Sequence, residues 1–443
     1  MMAAAKLMKS ALRVALVLSS LTLAAPAWSL DLLQVYQLAL EQDSTLRAAR
    51  ATADAMREQL PQAQAQLRPN VAFSAGRTHN DLTSTQSQSY FSNNQSLILR
   101  QPLYRKPLFA ALEQAGHAVD DADAVLEREL QNLGVRVAGA YLEALLAQDQ
   151  ATLVQAQKAS ITIQLDAARK ALAAGSGIRT DIDEAQARLD WVLAQELEAA
   201  QQVQLSRRQI EVLVNQPVAE LAPLDAAKLP LLAPLPAKVQ DWIELASNSS
   251  PEILALQARL EVARLEVNKA QGAYYPTLDA VVQITRSANE NVTTPSSSYN
   301  NKSIGLQLNV PLYAGGYTNS VVRQALAGQT RARELLEATR RDLGVRVHRE
   351  FRGVTEGILR IQAREQALRS VTQLVISSQR SVAAGSRTVL DVLNAQDRQQ
   401  QALRDLAQAR YEYVLSRVRL QALVGGDKLQ SIGEVNGWLK SAQ

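Results

Sequence analysis

Residues 108–174 read LFAALEQAGHAVDDADAVLERELQNLGVRVAGAYLEALLAQDQATLVQAQKASITIQLDAARKALAA, and no proline occurs between Pro107 and Pro217. Apolar side chains recur in steps of three and four: Leu108, Leu112, Ala115, Val119, Ala122, Leu126, Leu130, Leu133, Val137 and Tyr141, then Val154, Ile161, Leu165, Ala168 and Leu172. Such steps place them along one side of a helix. The register blurs around Gln148–Ala151, so the stripe is not a strict heptad. Ala173-Ala174-Gly175-Ser176-Gly177 stops the helix and turns the chain, and the apolar spacing resumes at Ile182, Ala185, Leu189, Val192 and Val203. Two antiparallel helices of unequal length are expected. Residues 108–174 span roughly 100 Å and 181–214 roughly 50 Å, at about 1.5 Å per residue. A compact domain is only ~30–40 Å across. The pair must project beyond any globular body, and something else must cover the unpaired half of the longer helix.

The cover comes from an internal duplication. Pro69 matches Pro276 at an offset of 207, and Pro102-Leu103-Tyr104 matches Pro311-Leu312-Tyr313 at 209. Leu133-Gly134-Val135-Arg136-Val137 recurs as Leu343-Gly344-Val345-Arg346-Val347, and Ala173-Ala174-Gly175-Ser176 as Ala383-Ala384-Gly385-Ser386, both at 210. Each unit holds short helices, a strand pair, one very long helix and a half-length return helix. In the first unit the short helices break near Asp43-Ser44, where a side-chain oxygen can cap, and Pro61 marks a kink or an end. In the second, Ser249-Ser250-Pro251-Glu252 is a helix start. The expected organisation is a leader over 1–29, a first repeat over 30–216, a proline-rich connector over 217–245, a second repeat over 246–426 and a tail over 427–443. Stacked end to end, two short helices could cover one long one, with the connector and chain ends near the midpoint.

The leader sets the compartment. Lys6, Lys9 and Arg13 precede an apolar run, Val14–Leu23, and Ala25-Pro26-Ala27-Trp28-Ser29 supplies small residues for cleavage after Ser29, with Ala27 as the alternative. Losing those three cations takes the formal charge from +4 to +1, so the basic pI is no nucleic-acid footprint. Cysteine is absent, which removes both disulfides and the lipidation site of bacterial lipoproteins. Beyond the leader no run approaches the ~20 apolar residues of a spanning helix, so any membrane crossing must use strands.

Strands are expected at about 70–82, 95–104, 277–286 and 303–312, around polar loops at 79–94 and 287–302. Ile304, Leu306, Leu308 and Val310 alternate with Gly305, Gln307 and Asn309, and Leu278, Ala280, Val282 and Ile284 repeat the pattern. A half-buried strand of a soluble sheet alternates identically. Two features favour a membrane barrel. Ten of the 19 aromatic residues, among them Tyr104, Tyr274, Tyr275, Tyr313 and Tyr317, lie in 69–109 and 274–317, about a fifth of the chain, as a girdle at the membrane interface would. The prolines sit at strand ends, where no ladder bond is lost. Lipid cannot satisfy an open sheet edge, and four strands cannot close when the smallest barrels have about eight. The chain must therefore associate through its strands: twelve from three chains is the favoured reading, and closure alone also permits two or four chains.

Ala384-Gly385-Ser386-Arg387-Thr388-Val389-Leu390-Asp391-Val392-Leu393-Asn394-Ala395-Gln396, followed by Ala409-Arg410-Tyr411-Glu412-Tyr413, with Gly177-Ile178-Arg179-Thr180-Asp181-Ile182 in the first repeat and Pro311-Leu312-Tyr313-Ala314-Gly315-Gly316, resembles the TolC-type outer-membrane efflux and secretion channels over essentially all of the mature chain. The resemblance implies an α+β membrane protein: a homotrimer with one antiparallel β-barrel of twelve strands, continuous with a helical coiled-coil barrel that crosses the periplasm. It implies a passive export duct for a tripartite efflux or type I secretion system. Its partners would be a periplasmic membrane-fusion adaptor and an inner-membrane ABC or proton-driven transporter. The family's tunnel closes at the helix turns, where an arginine contacts a threonine and an aspartate; Arg387, Thr180 and Asp181 occupy those positions, and Val382 replaces a tyrosine of the same latch. Two aspartates line the family's entrance constriction; here they are Asp391 and Asn394, so a trimer would present three acidic groups instead of six.

A rival reading is a soluble periplasmic coiled-coil scaffold or adaptor, which should have one hairpin and soluble β-domains. His79, His117 and His348 are scattered without ligand spacing, and Gly175-Ser176-Gly177 lacks the lysine of a phosphate loop. No metal, cofactor or catalytic constellation is expected.

Overall fold

The computed structural model describes residues 30–83, 88–218, 220–288 and 298–440; the leader lies outside them. The chain begins with three short helices, α1 (Leu32–Gln42), α2 (Ser44–Arg57) and α3 (Gln59–Ala65). Asp31 opens α1 with a reciprocal cap: its carboxylate accepts the Gln34 N–H at 2.7 Å, and the Gln34 side chain accepts the Asp31 N–H at 3.1 Å. Asp43 caps α2, accepting the Leu46 N–H at 2.7 Å. Pro61 lies in the first turn of α3, where its missing N–H has no intrahelical partner to lose.

Strands β1 (Asn70–Leu82) and β2 (Gln88–Tyr104) lead into α4 (Lys106–Ala173) and its return helix α5 (Arg179–Val214). The second half repeats this order: α6 (Val239–Ser249), α7 (Pro251–Gly272), β3 (Thr277–Ala288), β4 (Ser298–Asn309), α8 (Tyr317–Ala383) and α9 (Val389–Leu423), with α10 (Lys428–Gly437) closing the chain. At 68 and 67 residues, α4 and α8 are each roughly 100 Å long. Both tip turns use a left-handed glycine, Gly175 at φ 74° and Gly385 at φ 70°, a conformation that carries little cost without a Cβ. Gly177 is needed for space, since a Cβ there would lie 2.8 Å from the Leu172 nitrogen.

The structure corrects several sequence boundaries. The connector expected through residue 245 ends at Lys238, because α6 begins at Val239 and buries Trp242 and Ala246 on one face. The Trp242 indole N–H donates to the Pro236 carbonyl at 2.8 Å, fastening the last proline of the connector to the helix. Helices α1 and α6 are 11 residues each at an offset of 207, so the duplication includes them. Ser250 occupies the cap position of α7, yet its side chain makes no cap bond; its carbonyl accepts the Ile253 and Leu254 N–H groups at 3.0 Å. Strands β2 and β4 start at Gln88 and Ser298, earlier than expected, and β4 stops at Asn309, short of 312. Their outer ends are Ser- and Asn-rich and show no apolar alternation. Ladder bonds continue there regardless, reinforced by Asn80 Nδ2 donating to Ser92 Oγ at 2.8 Å.

The core lies at the equator, where short helices meet. Leu32, Val35, Tyr36, Leu133, Val137, Tyr141, Ile210, Val214, Trp242, Ile253, Val347, Val354, Tyr413 and Val418 belong to one buried cluster. The repeated Leu-Gly-Val-Arg-Val marks the level where each long helix meets a helix break: Arg136 reaches Asp43 at 3.1 Å, and Arg346 reaches Glu252 at 2.5 Å. Chain ends and connector meet here too, through a parallel bridge Leu30–Leu221 and an antiparallel bridge Leu224–Leu439. Tyr141 is fully buried and donates to both the Leu30 and Ala222 carbonyls, at 3.0 and 2.9 Å. Tyr141→Phe should lower the stability of the detergent-solubilised protein by about 1–3 kcal/mol, read as a lower thermal midpoint, because it strips a donor from buried carbonyls.

Candidate channel gate and membrane sheet

The helices pack side by side in one layer order. In the half next to the sheet α4 packs against α2 on one flank and α7 on the other, and α7 packs against α8. Towards the tips the order is α5, α4, α9, α8. Apart from the equatorial packing of α1 on α5 and of α6 on α8, one flank of α8 and the outer flanks of α2 and α5 have no helix packed on them among the described residues. Trp191, Leu197, Leu205 and Val212 of α5 and Leu335, Val345 and Leu359 of α8 are correspondingly exposed.

The sheet has the same open ends. Its order is β1-β2-β3-β4, all antiparallel, and its edges are β1 and β4. Register brings one apolar set onto a single face: Val71 opposite Leu99, Phe73 opposite Leu97, Leu97 opposite Ile284, Leu99 opposite Val282, Val282 opposite Ile304 and Ala280 opposite Leu306. The other face carries Ser74, Ser96, Gln283, Gly305 and Gln307. Aromatic residues mark two levels. Tyr104, Tyr274, Tyr275, Tyr313 and Tyr317 gather where strands pass into helices, all exposed, with the Lys106 ammonium 3.6 Å from the centre of the Tyr275 ring and the Tyr274 hydroxyl on Asn319. Arg105 fastens the end of β2 to Asp279 at the start of β3, with Nε 2.8 Å from the carboxylate. Phe91 and Tyr299 mark the other level, where Arg77 stacks 4.4 Å over the Phe91 ring. The 13 residue-to-residue steps from Phe91 to Tyr104 correspond to ~43 Å of strand, or about 30 Å of height at ~45° tilt, which matches a hydrocarbon layer.

At the tips, Thr180 and Asp181 lie in the first turn of α5 and Arg387 in the turn before α9. Within the chain no hydrogen bond or ion pair joins Arg387 to Thr180 or Asp181 among the described residues. Asp391 is engaged in a capping box: the Thr388 N–H and hydroxyl donate to its Oδ2 at 3.1 and 2.9 Å. Those two bonds, with the charge of Arg387, hold its carboxyl below the usual carboxylate range. Asn394 accepts from Arg188 Nη2 at 2.9 Å, while Arg188 Nη1 meets Asp397 at 2.6 Å and Nε meets Glu184 at 2.8 Å. Arg188 is only 18% exposed and spans from α5 to α9. Gln157 supports it by donating to Asp397 at 3.1 Å.

The sequence reading missed Arg188 and Asp397. The signal was present as a repeat, since Asp181-Ile182, Ala185-Gln186 and Arg188 recur as Asp391-Val392, Ala395-Gln396 and Arg398 at the offset of 210 that also relates the helix starts Arg179 and Val389. In this frame Asp181 is the structural counterpart of Asp391, and Glu184 that of Asn394.

The outer membrane efflux protein family matches residues 35–216 and 242–426. The chain is 32% identical over 410 residues to the alkaline protease secretion protein AprF of Pseudomonas aeruginosa, covering 90% of this chain and 85% of that one. It is 30% identical over 425 residues to the outer membrane protein TolC of Vibrio cholerae, covering 95% and 97%. The crystal structure of the outer membrane protein VceC from Vibrio cholerae has the same fold, with a TM-score of 0.77 at 20% identity over 89% of this chain and 96% of that one. A duplicated pair of long hairpins joined to a sheet with one lipid-compatible face thus excludes the soluble scaffold, and the chain belongs to the outer membrane efflux protein family, as an outer-membrane exit duct that extends into the periplasm.

Proposed function

We propose that three copies close into one duct that carries cargo, delivered by an inner-membrane transporter through a periplasmic adaptor, across the outer membrane. The observation that carries this reading is the four-stranded sheet, whose apolar face ends in two unpaired edges. In lipid those edges must be paired, and each copy offers β4 to β1 of the next. The duplication supplies the register. Strand β2 meets β3 with Leu99 opposite Val282, and shifting by the repeat offsets of 209 and 207 sets Leu308 opposite Ala75 of the partner subunit. This pairing keeps the apolar face continuous. A Leu308→Cys/Ala75→Cys chain should form disulfide-linked trimers under oxidation, with neither single variant doing so. Light scattering should give a particle of three chains, and a stably monomeric particle would overturn the proposal.

Arg387, Thr180 and Asp181 are proposed to latch the closed tip between hairpins brought together by closure, with Asp391 and Asn394 at the entrance. Arg387→Ser is expected to raise the closed-state conductance in planar bilayers, and an unchanged value would remove Arg387 from the latch. Arg188 on Asn394 sets a cation beside the constriction, so weaker cation selectivity than six aspartates would give is expected. Two relatives are named for protease secretion, AprF and the PrtF protein of Dickeya chrysanthemi, which favours protein cargo of a type I system. Deleting the gene should abolish export of a specific protein while leaving drug susceptibility unchanged; the reverse outcome would assign the duct to drug efflux.

A further inference from the structure

Within the chain the junction between repeats at the tip is α4 against α9, clamped by Arg188 reaching from α5 to Asn394 and Asp397 on α9. Advancing each element by one repeat converts α5 to α9, α4 to α8, and α9 to α5 of the next copy. The open flank of α8 must therefore receive α5 of a neighbour, just as α4 receives α9. Trp191, Leu197 and Leu205 on α5 and Leu359 in the tip half of α8 are exposed apolar residues at this level. The clamp itself transforms with them. Arg188 becomes Arg398, Asn394 becomes Glu184, and Asp397 becomes Ala187.

Arg398 is exposed and has no ion-pair partner among the described residues. Its counterpart Arg188 is largely buried under three oxygen acceptors on two helices. Each junction thus keeps an arginine and one carboxylate across the seam: Asp397 supplies it inside the chain, and Glu184 would supply it between chains. A cation retained at the same helical position in both repeats, with a carboxylate at one of two adjacent sites facing it, is what two equivalent seams require.

We infer that Arg398 forms an ion pair with Glu184 of the partner subunit, so that the closed tip is held by six arginine clamps, alternately within and between chains. The inference rests on the trimeric duct proposed above. It concerns residues three turns further up the helices than Arg387, and it assigns Arg398 a positioning role towards the gate.

The chain has no cysteine, so introduced thiols can be read without background. Full-length Arg398→Cys/Glu184→Cys protein in membranes would be treated with a bismaleimide long enough to span an arginine–glutamate pair, beside each single variant and Arg188→Cys/Asp397→Cys. The first pair should yield covalent dimers and trimers on denaturing gels. The second pair should change the mobility of the single chain without larger species, and the single variants should do neither. Light scattering on the same preparations reports assembly separately. A three-chain particle in which the 188/397 pair closes and the 398/184 pair stays monomeric on the gel overturns the inference and leaves the duct intact; a monomeric particle overturns both. As a second readout, Arg398→Ala should raise the closed-state conductance, whereas Arg398→Lys should stay near the parent value; equal conductance for all three would also overturn the role.

Discussion

Leu306→Arg is expected to abolish insertion of the assembled protein into the outer membrane, while Gln307→Arg one residue away is tolerated. Leu306 is 70% exposed on β4, lies opposite Ala280, and continues the apolar face formed by Ile304 and Leu308. It is also seven residues from Tyr299 and seven from Tyr313, which places it midway between the two aromatic levels. An arginine on the lipid face of a barrel costs about 2–4 kcal/mol at the midplane. Three copies per particle bring that to roughly 6–12 kcal/mol, comparable to the whole stability of many folded domains. Gln307 points to the opposite face, which lines water in a closed barrel, so the same charge there changes the bore and leaves the lipid contact alone. The comparison separates a membrane barrel from a sheet in water, where both positions would accept arginine on an exposed surface. Recovery of folded, heat-modifiable protein from washed outer membranes provides the measurement; equal recovery of the two variants would contradict the assigned lipid face.

The long elements were legible because length amplifies pattern. Proline-free runs of apolar residues at helical spacing predicted α4, α5, α8 and α9, and the repeated Ala-Ala-Gly-Ser located both tips, since a helix stop needs a left-handed residue wherever it falls. The sheet was legible only in its lipid-facing middle. There alternation is imposed by the solvent on each side, as at Ile304, Leu306 and Leu308, whereas the outer ends of β2 and β4 are wet on both faces and show no period. Backbone pairing continues there without leaving a trace in side-chain polarity. Helix α6 was hidden by the proline cluster before it, because Pro236 is bonded to Trp242 and the connector runs straight into the helix. Arg188 escaped for another reason. A charged residue on a helix that is mostly exposed reads as a solvated face, and only the fold shows that its partners, at Asn394 and Asp397, come from the other repeat more than 200 positions away.

That clamp carries the other large effect. Arg188→Ala is expected to raise the closed-state conductance in planar bilayers many-fold while the particle keeps its size and its heat stability. The guanidinium makes charge-assisted bonds to Asp397 and Glu184 and a third bond to Asn394; removing it takes that donor from all three and leaves Asp397 with only the neutral Gln157 amide across the seam. Asp397 is about half exposed, so solvent offsets much of the loss, and about 1–2 kcal/mol per chain is a realistic discount from the value of a buried charged hydrogen bond. Each 1.4 kcal/mol is about tenfold in an equilibrium. Three tips that must part together sum their contributions, so even the lower figure shifts the closed state by roughly a hundredfold. The equator is far from this seam and holds its own buried cluster, which is why assembly and thermal midpoint should not follow the gate. Arg188→Lys discriminates charge from geometry: a lysine can neutralise Asp397 but cannot hold Asn394 and Glu184 in the same fork, so it should give a conductance between parent and alanine variant. Should both substitutions leave the closed-state conductance at the parent level, the tip would be held by contacts other than the seam between repeats, and Asp397 would be no more than a solvated residue on α9.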